Sequence, residues 1–118
     1  MKTLKILFLT SLILLVFNCN SDDDQSTVNN NPGAFTVTEG AATNTGLTIH
    51  WTAAVDPDNQ EVIYAVYLNG DLVIEDLNTL TYIIEYNLFI SGENTILVIA
   101  SDGFGGITEQ EIVLNVQS

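Results

Sequence analysis

The chain reads as an all-β domain, a single seven-stranded antiparallel β-sandwich, and three observations lead there. Apolar residues recur with a period of two in a series of short runs, as in strands with one buried face. Clusters of Asp, Asn, Gly and Pro separate the runs, and these residues form turns by side-chain hydrogen bonding or by their backbone preferences. Past residue 33 no helical period of 3.6 appears.

Phe35 and Val37 open the first strand. Leu47, Ile49 and Trp51 share one face of the second, and Tyr64, Val66 and Leu68 share one face of the third, which starts at Val62. Asp56, Pro57, Asp58 and Asn59 lie between these two as an acidic turn. Residues 47–68 are therefore expected to form a hairpin-like unit that supplies half of the core. Asn69, Gly70 and Asp71 make a tight turn into a strand at Leu72 to Ile74. Leu80, Tyr82 and Ile84 mark the fifth strand, Ile96, Val98 and Ala100 the sixth, and Ile112, Leu114 and Val116 the last. The sandwich is assigned to 34–118, of which about eighty residues carry the strands, enough for one small core.

The front of the chain is of another kind. Lys2 and Lys5 precede an apolar run over 6–17, which is too short to span a bilayer and suits the core of a secretory signal. Val16, Phe17, Asn18 and Cys19 resemble the end of a bacterial lipoprotein signal peptide, here 1–18, after which the cysteine becomes the lipidated first residue. Asn18 stands where that pattern prefers Gly, Ala or Ser. Cys19 is the only cysteine, so no internal disulfide can form, and acyl chains on it would hold the protein to a membrane. Residues 19–33 are expected to form an acidic, flexible tether rather than folded structure. Within it Ser21, Asp22, Asp23 and Asp24 resemble the surface-export signal of Bacteroidetes lipoproteins. The resemblance implies a lipid-anchored outer-membrane protein at the cell surface, the alternative being the periplasmic face.

Both basic residues, Lys2 and Lys5, leave with the signal, whereas all fifteen Asp and Glu lie at or after Asp22. The remainder carries a formal charge of −15 with His50 neutral. Such a surface repels phosphate backbones and excludes nucleic acid as a partner.

Trp51 at the end of the second strand, the Tyr64, Val66, Leu68 pattern of the third, and Leu88 followed by Asn94, Ile96, Val98 and Ala100 resemble a fibronectin type III domain, one of the Ig-like sandwiches. That family usually carries a tyrosine at the position of Asn94 to tie down a corner, so the corner here must be held differently. The Asp56-Pro57-Asp58 turn and residues 100–106 also resemble cadherin-like bacterial surface sandwiches.

Residues for catalysis are sparse. His50 is the only histidine, and alternation points it away from Ile49 and Trp51 toward solvent, where no serine-histidine pair would form. Gly103, Gly105 and Gly106 lead into a strand rather than a helix, so they make no phosphate loop. The chain is expected to be no enzyme but a binding or interaction module contacting a protein or glycan partner. The alternative is a structural spacer or a calcium-stabilised adhesin-type domain.

Three sites follow. In the resembled topology the loops after strands two, four and six share one end, which would bring Asp56, Asp58 and Glu61 near Glu75, Asp76 and Asp102. Calcium takes six to eight oxygens, and such carboxylates with Asn59 or Asn78 supply several of them, although Asp and Asn also form turns unaided. Phe104, in a glycine-rich loop, either caps the core or offers a ring for recognition. Lastly, if the third, sixth and seventh strands point Tyr64, Val66, Ile96, Val98 and Ile112 inward, then Ile63, Ala65, Tyr67, Leu97, Ile99 and Val113 point outward. A solvated face should be polar there, so an apolar one marks a partner surface.

Overall fold

The computed structural model describes residues 28–117, and the expected signal peptide 1–18, the lipidation at Cys19 and the export signal at Ser21, Asp22, Asp23 and Asp24 lie outside them. The strands are β1 Val37–Ala42, β2 Gly46–Trp51, β3 Ile63–Leu68, β4 Asp71–Leu77, β5 Thr81–Glu85, β6 Gly92–Ser101 and β7 Ile107–Val116, with a 3-10 turn at Tyr86–Leu88. They form two antiparallel sheets, β1-β2-β5 and β4-β3-β6-β7.

All seven expected strands form, although Phe35, Val62 and Leu80 fall just before β1, β3 and β5. In β3 the odd-numbered Ile63, Ala65 and Tyr67 are half-buried while Tyr64, Val66 and Leu68 are buried, and β6 repeats this with Ile96, Val98 and Ala100 inward. One core joins both sheets: Leu47, Ile49, Trp51 and Ile84 from the first meet the inward residues of β3 and β6 from the second. Burial of each large aliphatic side chain contributes about 1.5–3 kcal/mol. Trp51 and Tyr64 cross the interface with ring centroids 5.6 Å apart, and Phe35 meets Tyr64 edge-on at 6.0 Å.

The hairpin-like unit over 47–68 does not form. β2 pairs with β1 and β5, whereas β3 pairs with β4 and β6. The segment between β2 and β3, residues 52–62, is longer than the two to five residues of a usual hairpin loop, and it crosses from one layer to the other. Alternation fixes which side chains face inward and is silent on which strand lies alongside.

The chain just before β1 is bonded to the sandwich. Gly33 N donates to Val55 O at 2.8 Å, Thr108 Oγ1 donates to Pro32 O, and Asn30 N donates to Asp58 Oδ2 at 2.8 Å. Residues 28–33, expected to belong to the flexible tether, are instead bonded to the loop after β2 and to β7.

At the opposite end, near the start of β6, Asn94 is fully buried and uses its whole amide. Its Nδ2 donates to Ile90 O at 2.8 Å and Gly92 O at 3.0 Å, and its Oδ1 accepts from Ile90 N at 3.0 Å and Asn69 Nδ2 at 2.9 Å. Two donors and two lone pairs are all that this side chain has.

Candidate functional site

Two surfaces carry the residues singled out from the sequence. The first is the end where the loops after β2 and β6 meet residues 28–33. Asp56 and Asp102 are buried there, at 4% and 3% exposure, and their carboxyls are neighbours. Asp56 Oδ1 accepts Asp58 N at 2.7 Å, a turn in which the side chain replaces a backbone acceptor. Asp102 works the same way in its own loop: Oδ1 accepts Phe104 N at 2.7 Å and Gly106 N at 3.0 Å, and Oδ2 accepts Asn29 Nδ2 at 2.9 Å. A Cβ on Gly106 would press on Asp102 Oδ2, so the loop closes tightly round this carboxylate. Burial pushes the Asp102 carboxyl up, but the donors Phe104 N–H, Asn29 Nδ2–H and Gly106 N–H outweigh it and hold it below the ordinary aspartate value.

The expected carboxylate cluster is not assembled. Asp56 and Asp102 meet, but Asp58 is exposed and bonded to Asn30, and Glu61 is exposed. Glu75 and Asp76 border a separate hollow with Ile63, Ala65 and Ile99. Among the described residues no three Asp, Glu, His or Cys side chains group as metal ligands. Asn29 was not singled out from the sequence, because nothing local announces that a tether residue reaches a loop so far along the chain.

Phe104 does not cap the core. It is 67% exposed, since Gly103 and Gly105, both at positive φ, turn the loop outward while Asp102 secures its base. Its ring borders a hollow with Val28, Asn29, Asp58 and Gln60. His50 is exposed on β2, between Thr38 and Thr81.

The second surface is the outer face of the four-stranded sheet. Cross-strand rows there run Leu72, Tyr67, Leu97, Glu111, then Ala65, Ile99, Glu109, and finally Ile63, Ser101, Ile107. Leu72, Ile107 and Val113 are 47%, 46% and 53% exposed, while Ile63, Tyr67, Leu97 and Ile99 are half-buried by one another. The face is an apolar stripe with carboxylates along β7.

No protein-family model matches the chain, and no curated protein does. Among solved structures it is similar to the spore cortex lytic enzyme SleM of Clostridium perfringens, with a TM-score of 0.59 and 19% identity. The match covers 72% of this chain and 28% of that one, so this chain corresponds to about a quarter of the enzyme's length. At such identity the likeness is one of fold: an all-β domain of two antiparallel sheets. Among the described residues no helix is long and apolar enough to cross a membrane.

Proposed function

We propose that the domain is a fibronectin type III-like sandwich acting as a non-catalytic recognition module, anchored through a lipid on Cys19 and displayed at the cell surface after export directed by Ser21 to Asp24. The strand order supports the fold reading. β4 lies beside β3, which separates it from the constant-type immunoglobulin order, where the fourth strand joins the sheet of the first, second and fifth.

The observation that carries the function is the apolar stripe of Tyr67, Leu97, Ile99 and Leu72 on a face that solvent alone would leave polar. Glu109 and Glu111 flank it, and no Lys or Arg follows Lys5. The partner that fits is a protein with an apolar patch rimmed by basic side chains. The test is recovery of companions from membrane extracts by the wild-type chain and by Tyr67→Asp and Ile99→Asp, with folding checked by circular dichroism. Both folded variants lose a companion that the wild type retains; identical recovery would reduce the domain to a spacer.

A second reading rests on Phe104. An exposed ring beside Asn29, Asp58 and Gln60 combines a stacking surface with amide and carboxylate acceptors, the composition of a glycan contact. Phe104→Ala would then abolish retention on a glycan array and leave protein capture intact.

A further inference from the structure

Four strands lie at sheet edges, β1 and β5 in one sheet and β4 and β7 in the other. Three of them are blunted. β1 breaks register between Glu39 and Ala42, β4 breaks register twice against β3 and holds Asp76 at a φ of 61°, and β5 is five residues long and runs directly into the 3-10 turn. Bulges and short strands keep an edge from pairing with a further chain. β7 has neither: Ile107–Val116 pairs with β6 over all ten residues without a break and contains no Pro or Lys.

The β6–β7 ladder determines what that edge offers. Asp102 N donates to Gly106 O at 3.1 Å, so the pair that closes the turn is a hydrogen-bonded one. Alternate pairs beyond it, from Ala100 with Thr108 to Asn94 with Leu114, bond likewise. The bond from Asn69 N to Thr95 O at 2.8 Å agrees, since it assigns the odd-numbered residues of β6 to the β3 side. Glu109, Glu111, Val113 and Asn115 therefore turn N–H and C=O away from β6, and no other backbone group among the described residues bonds to them. Thr108 Oγ1 donates to Pro32 O, which leaves 109–115 as the open length.

Side chains set the chemistry of what joins it. Ile112 and Leu114 face the core yet stay half-buried, an apolar rim that one more strand would cover. Glu109 and Glu111 are exposed on the other side, opposite Ile99 and Leu97, and no Lys or Arg follows Lys5 to neutralise them. A second copy of this chain fits badly, because it would bring two acidic edges together.

We propose that 109–115 of β7 takes up an extended basic segment of a partner protein as an added antiparallel strand, in which apolar side chains alternate with Lys or Arg. Main-chain bonds to the odd-numbered residues supply the attachment. Apolar side chains of the segment cover Ile112 and Leu114, and its basic ones lie across from Glu109 and Glu111. The site is the edge of the sheet and does not depend on the stripe of Tyr67, Leu97 and Ile99 on its outer face.

The test uses the full-length chain in non-ionic detergent and a synthetic peptide of about eight residues, within the usual range of strand lengths, that alternates valine with lysine. Residues opposite Glu109 and Glu111 in such a pairing turn their own N–H toward β7. Methylating the lysine amide nitrogens therefore blocks pairing, whereas methylating the valine ones leaves it intact, at the same charge. By calorimetry the valine-methylated peptide binds at least about tenfold more tightly than the lysine-methylated one. Val113→Pro removes an outward N–H without touching the β6 ladder and weakens binding about fivefold, with folding checked by circular dichroism. Glu109→Lys with Glu111→Lys, on the exposed side of β7, transfers the preference to a valine–glutamate peptide and decides the matter should the proline variant not fold. Tyr67→Asp retains binding. Equal affinity for the two methylated peptides would mean charge attraction alone and overturn the proposal. So would no binding, or an unchanged preference after charge reversal. Self-association of the peptide-free chain that Val113→Pro abolishes would assign the edge to a second copy, and the proposal would also fail.

Discussion

Asn69 donates from Nδ2 to Asn94 Oδ1 at 2.9 Å, joining the turn between β3 and β4 to the buried amide that holds the chain entering β6. Asn69 is itself fastened to β6, through its N–H to Thr95 O and Thr95 N to its Oδ1, both at 2.8 Å. Two asparagines thus secure the corner where the chain enters β6.

Asn94→Ala strands Ile90 N–H, Ile90 C=O and Gly92 C=O around a buried position. The expected loss is about 3 kcal/mol or more, read from the urea midpoint at constant slope. Asn69→Gly keeps the positive φ of 52° and removes only the side-chain bonds. It should cost about 1 kcal/mol and couple non-additively with Asn94→Ala.

Tyr64 accepts a bond in the core, from Ala54 N to its hydroxyl at 2.9 Å. Tyr64→Phe preserves the ring contacts with Phe35 and Trp51 and leaves a buried N–H unmet. Unfolding should show a loss of about 1–2 kcal/mol, with the near-ultraviolet spectrum of Trp51 little changed.

For Phe104, exposure sets the expectation. Phe104→Ala should change stability by less than about 0.5 kcal/mol, because the ring is 67% exposed and outside the core. A capping ring would cost about 3 kcal/mol or more, and thermal unfolding distinguishes the two.

Asp102 has a carboxyl held below its ordinary value, so the native state binds its proton less readily than the unfolded chain. Its contribution is therefore full above the unfolded value of about 3.9 and is lost as pH falls through the lower folded value. Measured in EDTA, the stability difference between wild type and Asp102→Asn should be constant from pH 7 to about 5 and shrink below about 4. A difference that grew on acidification would mean that the carboxyl is raised instead.

The sequence alone determined the seven strands and their inward faces. Alternation in β3 and β6 is local, and once one face is apolar enough to bury, Tyr64, Val66, Leu68, Ile96, Val98 and Ala100 can point only one way. It also determined that the outer face beside them is apolar, which follows from Tyr67, Leu97 and Ile99 by the same parity. Only the tertiary structure decided that β2 and β3 part into different sheets, since alternation carries no information about neighbours. It decided too that Phe104 turns outward, that Asn94 buries its amide to hold the chain entering β6, and that Asn29 reaches Asp102. These depend on where loops far apart in the chain come together, and that is set by the packing of the two sheets across one core, which no local pattern of residues encodes.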